Sequence, residues 1–209
     1  MDSSLSLKTA SISMLDDLSD AHLRVFTNNF MALMGRKFLI DYYRFALESE
    51  YSEVFYIRNN EMFSWAVVYF DADAFLKEYR KLRWAMILNV ITSILKSPNI
   101  ITKLTQAIKK TLGGDKAAAL PKSHYFEVAI VGSRVQGRGN TKLLMQAIIK
   151  QRWRARCDGY RLEVDELNYS AIGLYESLGF DIVGTLKRGE RLMYIMELDI
   201  GKNILPSFS

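Results

Sequence analysis

Two short stretches carry residue types that can do chemistry together. The first, Asn168-Tyr169-Ser170-Ala171-Ile172-Gly173-Leu174-Tyr175-Glu176-Ser177-Leu178-Gly179-Phe180, reads as an Asn-capped helix with a phenol, Tyr175, near its far end. Asn168, Ala171 and Tyr175 fall at i, i+3 and i+7 and share one face, with Leu174 and Leu178 as the adjacent stripe. The second, Val131-Gly132-Ser133-Arg134-Val135-Gln136-Gly137-Arg138-Gly139-Asn140-Thr141, joins an apolar strand to a long helix. Glycines at such a junction leave backbone N–H groups exposed at a helix N-terminus, which is a way to hold phosphate. Together the two stretches point to a phosphate-bearing cofactor with a proton donor beside it.

Two carboxylates stand in runs that otherwise read as apolar strands. Glu127 lies in Tyr125-Phe126-Glu127-Val128-Ala129-Ile130-Val131, and Glu163 in Arg161-Leu162-Glu163-Val164. A buried, unpaired carboxylate costs several kcal/mol, so each needs a partner or a job. Each is either a base or a glutamate that pairs with Arg161 or faces solvent. His124 reads as a strand-edge residue. Asn168 serves equally as a helix N-cap, and Arg138 and Lys142 either assist phosphates or form a solvated face.

The elements that must position these residues follow from periodicity. Residues 5–13 alternate weakly, as an edge strand does. Asp16 to Phe30 and Arg36 to Leu47 show helical spacing, broken at Met34-Gly35, and Val54 to Ile57 with Met62 to Phe70 reads as a hairpin. Helices are expected over about 74–96 and 99–112, then a loop with Pro121. Next come a strand at Tyr125 to Val131, a helix from Asn140 to Cys157, a strand at Tyr160 to Val164 and the Asn168 helix. Asp181 to Leu186 and Leu192 to Leu198 close the order as a strand pair, and the tail after Ile200 reads as loose.

This order, with Gln136-x-x-Gly139 between strand and helix and Asn168-x-x-Ala171-x-x-Leu174-Tyr175-x-x-Leu178-Gly179-Phe180 later, resembles the GNAT superfamily of acyl-CoA-dependent N-acetyltransferases. The helix motif matches at every named position. The turn signature, Gln/Arg-x-x-Gly-x-Gly/Ala, falls on Gln136, Gly139 and Thr141, with Thr141 where the family prefers Gly or Ala. A literal fit two residues earlier, Arg134-x-x-Gly137-x-Gly139, is set aside because the first register turns Leu144 and Met145 to the core. The resemblance is specific over about 124–198 and architectural before residue 72. It implies an α/β fold with a mixed, twisted central sheet flanked by helices, the whole of 1–209 forming one acetyltransferase domain.

The resemblance also implies roles. Acetyl-CoA is the co-substrate, its pyrophosphate on the turn Gln136, Gly137, Arg138, Gly139, Asn140, Thr141 and Lys142. Its pantetheine arm runs along Ala129-Ile130-Val131 and borders Asn168 and Ala171. The Thr141 hydroxyl either reaches a phosphate oxygen or crowds the pyrophosphate. The N–H near Ala129 is the oxyanion donor, and Glu127 or Glu163, directly or through water, takes the proton of an amine whose pKa is near 10. Tyr175 assists the departing thiolate. Ordinary pKa values of about 10 and 8.5 make full proton transfer uphill by about 2 kcal/mol, so a strong hydrogen bond is the better description.

Bulk features narrow the setting. Cys157 is the one cysteine in 209 residues, which excludes an internal disulfide and suits a reducing, cytoplasmic compartment; with only two histidines, a structural zinc site is not expected. The N-terminus lacks a signal-peptide pattern. Residues 75–114 hold eight basic residues and one acidic, +7 net against +5 for the whole chain, so the charge belongs to one insertion rather than to a nucleic-acid-binding fold. That insertion, about 74–120, is either a helical cap or an interfacial helix touching anionic lipid, since Trp84 to Leu95 is too short to span a bilayer. The acceptor is a small-molecule or peptide amine, and the oligomeric state is not readable. The alternative is a catalytically inactive CoA-binding or membrane-associated interaction module on the same fold.

Overall fold

Runs rich in β-branched and aromatic residues form the strands, and runs with apolar residues three and four apart form the helices. The computed structural model describes residues 6–27, 29–59, 63–82, 124–135, 139–152, 157–189 and 191–201. In chain order the elements are β1 (Lys8–Thr9), α1 (Leu15–Val25), α2 (Phe30–Leu33), α3 (Arg36–Glu48), β2 (Ser52–Arg58) and β3 (Phe63–Tyr69). A helix over 72–82 (α4) follows. Then come β4 (Tyr125–Ser133), α5 (Asn140–Arg152), β5 (Gly159–Asp165), α6 (Tyr169–Glu176), β6 (Asp181–Arg188) and β7 (Arg191–Asp199). The expected helices beyond residue 82, the loop with Pro121 and most of the basic insertion lie outside the described residues, as does the tail from 202.

The strands form a seven-stranded sheet in the order β1-β2-β3-β4-β5-β7-β6. Its pairs are antiparallel except β4 with β5. This is the mixed sheet flanked by helices that the sequence led us to expect. Each face carries a core. On one, α1, α3 and α4 bring Leu18, Phe38, Tyr42, Tyr43, Phe75 and Tyr79 against Val54, Trp65, Val67 and Tyr69. On the other, α5, α6 and the turn after α6 bring Leu144, Ile148, Tyr175 and Phe180 against Ala66, Val128, Tyr160 and Leu162. Both layers cover β3, which is why all seven of its residues are buried.

The first helical run is broken where periodicity alone would continue it. Helix α1 stops at Val25, Phe26 leaves helical geometry, and Asn29 is extended, its side chain accepting from the Met31 N–H at 2.9 Å to start α2. A side chain that satisfies an orphan amide competes with continuing the helix. Gly35, at φ 88°, then separates α2 from α3. The helices are tied down by polar contacts: the Trp65 Nε1–H donates to the Tyr43 hydroxyl at 2.8 Å, which hydrogen-bonds with His22 Nδ1 at 2.9 Å. Burial pushes the His22 ring down to about 4, so it is neutral there.

Gly159 marks the tightest point of the sheet. A Cβ there would lie 2.1 Å from the Leu198 carbonyl oxygen and 2.4 Å from the Tyr125 ring. Only glycine lets β4, β5 and β7 meet at that level. Gly159→Ala is therefore expected to cost about 1–3 kcal/mol, read as a lower urea midpoint with an unchanged slope; a midpoint equal to wild type would contradict the lock.

Candidate active site

Strands β4 and β5 are paired at only three positions: Tyr125 with Gly159, Phe126 with Tyr160, and Glu127 with Arg161. Beyond them β5 keeps β7 as its partner as far as Asp165, and β4 keeps β3 as far as Ser133. The two strands therefore part after Glu127 and the sheet opens as a V. A bulge falls beside the apex: Val67 faces Ile130 and Val68 faces Val128, so Ala129 is the extra residue. From Val128 onward the side of β4 toward β5 has no strand partner among the described residues, an edge suited to an extended ligand. Ala129, Ile130 and Val131 all lie on it.

At the open end of β4 the chain turns into α5. Gly139, at φ 70°, supplies the left-handed step that glycine accepts most readily. The helix opens at Asn140, with the Leu143 N–H donating to the Gly139 carbonyl at 3.0 Å, so the amides just before Leu143 have no acceptor within the helix. Asn140 is buried, and its side-chain amide donates back to the Val135 carbonyl at 3.2 Å, fastening the turn. Thr141 and Lys142 are half-buried, while Leu144 and Met145 are fully buried. Gln136, Gly137 and Arg138 lie outside the described residues. Near this end, Arg24, Val25, Ser133 and Arg134 line a cavity of about 400 Å³. Arg134 donates to the Asp17 carbonyl at 3.2 Å and lies over the Phe63 ring, binding the exit of β4 to α1.

Helix α6 positions the phenol. Asn168 caps it by accepting from the Ala171 N–H at 3.2 Å. About two turns after Asn168, Tyr175 is 8% exposed and packs its ring 5.6 Å from Phe180. Burial pushes its hydroxyl up to about 12. No hydrogen bond engages that hydroxyl among the described residues.

The two strand carboxylates differ. Glu163 accepts from Arg188 through Nη2 at 2.7 Å and Nε at 3.1 Å. Arg161 is committed to Glu197, with Nε donating at 2.7 Å, so it is not the glutamate partner its place beside Glu163 suggests. Glu127 is half-buried, and no hydrogen bond engages its carboxylate among the described residues. Burial first, and the charge of Glu163 second, raise it to about 7 against the pull of Arg188 and Arg161. A carboxylate near 7 suits a base working at neutral pH. His124 is exposed at the start of β4, its N–H donating to Asp158 at 3.2 Å.

Glu127 faces Tyr69 across the β3–β4 ladder, on the side of α1, α3 and α4, whereas Tyr175 belongs to the core under α5 and α6. The carboxylate and the phenol thus stand on opposite faces of the sheet, with the V between them. Residues 114–180 match the family model Acetyltransferase (GNAT) family. The match spans 67 of the 209 residues and holds β4, α5, β5 and α6. Solved structures share the fold of the chain over nearly the whole length. The ribosomal-protein-S18-alanine N-acetyltransferase of Escherichia coli is 15% identical, TM-score 0.58, covering 97% of this chain and 100% of its own. The histone acetyltransferase HPA2 and related acetyltransferase from Corynebacterium glutamicum is 16% identical, TM-score 0.60, at 98% and 99% coverage. The yncA protein of Salmonella typhimurium, solved with its cofactor acetyl-CoA, is 13% identical, TM-score 0.52, at 98% and 99%. No curated protein sequence matches the chain.

Among the described residues, no three His, Cys, Asp or Glu side chains gather as a metal site, and no helix is long and apolar enough to cross a membrane. Sequence reasoning missed Arg188 and the Ala129 bulge. The first sits 25 residues from its partner, and the second is visible only in strand register.

Because folding raises Glu127 above the ordinary value of 4.5, the folded state favours its protonated form. Its contribution to stability is fully present below pH 4.5 and is lost as pH rises through about 7. Glu127→Gln should remove that loss and stabilise the protein at pH 8, by at most about 3 kcal/mol, with little change at pH 4.5. Thermal melts at the two pH values check this, and equal shifts at both would contradict a raised Glu127.

Proposed function

We propose that this protein is a GNAT N-acetyltransferase that moves the acetyl group of acetyl-CoA to a primary amine by direct attack, the whole chain acting as one domain. The observation that carries the reading is the V between β4 and β5, with the Ala129 bulge beside its apex and Glu127 at its base. The pyrophosphate rests on the turn from Gln136 to Lys142, where α5 offers amides and Arg134 and Arg24 add positive charge nearby. The pantetheine arm follows the unpaired edge of Ala129, Ile130 and Val131 and passes Asn168 and Ala171. Acetyl-CoA supplies the activated thioester.

Glu127 accepts the proton of the amine, directly or through a water, while the Ala129 N–H stabilises the oxygen that gains charge. Tyr175 donates a hydrogen bond to the developing thiolate. With its phenol near 12 against a thiol near 8.5, complete transfer would be uphill by about 5 kcal/mol, so Tyr175 stays protonated throughout. Glu163, gripped by Arg188, is the less suited base. Cys157 precedes β5 at the paired end of the V, away from Ala129, which favours direct attack over an acetyl-cysteine. One structural neighbour is named for acetylating an alanine of a ribosomal protein, so a peptide amine stands beside small amines as the acceptor class.

Thr141, in place of the family's Gly or Ala, and Asn140 beside it are the residues that favour a silent CoA-binding module instead. Calorimetry decides the first step: micromolar binding of acetyl-CoA is expected, and no binding of acetyl-CoA or CoA would end the reading. Thiol release with a panel of amines decides the second. Glu127→Gln should lower kcat/KM by about 10²–10⁴ with donor binding kept, and Tyr175→Phe should lower kcat by about 10–10². Turnover that ignores both substitutions would contradict the assignments.

A further inference from the structure

The ion pair between Arg188 and Glu163 joins strands that are not neighbours. Strand β7 lies between β5 and β6, and the ladder sets Glu163, Ile195 and Gly184 in one row. Arg188 stands four residues further along β6 than Gly184. On a flat sheet, four residues at about 3.3 Å and two strand spacings at about 4.8 Å would separate Arg188 from Glu163 by roughly 16 Å. The guanidinium nevertheless forks onto the carboxylate at 2.7 and 3.1 Å. The end of the β6–β7 hairpin must therefore curl over the face of β5 that carries Glu163.

That is the face of Glu127. Directly opposite residues share a side of a sheet, so Tyr69, Glu127 and Arg161 align there, with Glu163 two residues further along β5. The charged and titratable groups that act on Glu127 are Arg161 and Glu163 from β5, Arg188 from β6 and Asp73 from α4. Tyr69 from β3 faces it, and its own phenol is raised by burial and, more weakly, by Glu127. Arg161 is neutralised by Glu197 of β7. Arg188 is thus the cation held on Glu163 whose charge also acts on Glu127, and it reaches Glu163 because the hairpin is curled.

We propose that Arg188 is a positioning residue for the general base: by forking onto Glu163 across β7 it pins the hairpin over the V and sets the charge around Glu127. This rests on the acetyltransfer reading for its purpose but not for its test. Without the Arg188 charge, the Glu163 carboxylate would face Glu127 unmatched, and less of the base would be ionised at neutral pH. The hairpin would also lose its hold on β5, so the chemistry and the covering of the site are governed by one side chain.

The test is a carboxyl ¹³C titration of the full chain carrying labelled glutamate, with the Glu127 signal identified by its loss in Glu127→Gln. Arg188→Met should move the Glu127 midpoint upward by about one pH unit, a roughly fivefold loss of ionised base at pH 7. Glu163→Gln should move it downward, and Arg188→Lys, which keeps the charge without the fork, should leave it near wild type. A midpoint unmoved in Arg188→Met, or moved the same way by Arg188→Met and Glu163→Gln, would overturn the proposal. If Arg188→Met fails to fold, the Glu163→Gln shift alone decides. Full activity in Glu127→Gln would instead remove the base, whatever the titration shows.

Discussion

The parting of β4 from β5 is the constraint on which the rest of the structure depends. Backbone N–H and C=O groups seek partners, and each one left unmade forfeits about 1 kcal/mol or more. A sheet does not open unless each strand is held more firmly elsewhere. Here β5 is laddered to β7 along its whole length and β4 to β3 on its far side. The apex is clamped by the contact at Gly159, and the open arm of β4 by the approach of Gly132 to the Trp65 ring, where a Cβ would stand 2.6 Å away. The Arg134 contacts with Asp17 and Phe63 then tie that arm to α1. The gap is a consequence of rigidity on both sides of it.

The same geometry sorts the charges. Three pairs, Arg161 with Glu197, Glu163 with Arg188, and Asp165 with Arg191, run across the open side of β5, β6 and β7. The two pairs with half-exposed arginines, Arg188 and Arg191, add little to stability. Their effect is on the local potential: each guanidinium there is already matched, and Glu127, just inside the V, keeps its charge state close to balance. A side chain poised between two protonation states needs its neighbours held still.

Much of this was legible in the sequence. Glu127 and Glu163 stood out because a carboxylate in an apolar strand demands an explanation, and Tyr175 because it shares a helix face with Asn168 and Ala171. The strands and helices followed from periods of two and 3.6. Which glutamate is held by an arginine was not legible, because the answer depends on β7 inserting between β5 and β6. Arg161 sits two residues from Glu163 yet turns to Glu197, a preference set by cross-strand register rather than by proximity along the chain. The break at Phe26 was hidden for a similar reason: the apolar spacing runs on, but the Asn29 side chain offers an amide a nearer acceptor. The bulge at Ala129 leaves no compositional trace, since alanine is not a bulge residue by type.

The sheet ends in two unlike borders. Strand β1 is only two residues long, and β6 is interrupted by an extra residue, Val183, between Ile182 and Gly184, with Lys187 and Arg188 further along. A short border, a kinked one and lysine or arginine near the rim are features that discourage a foreign strand from adding on. For a molecule that already keeps a stretch of unpaired backbone inside its own sheet, this matters more than usual. The inner gap closes where Tyr125 to Glu127 pair with Gly159 to Arg161, and the outer rims offer no straight run. Self-association into extended fibrous stacks is thus opposed at each place where the backbone is left open.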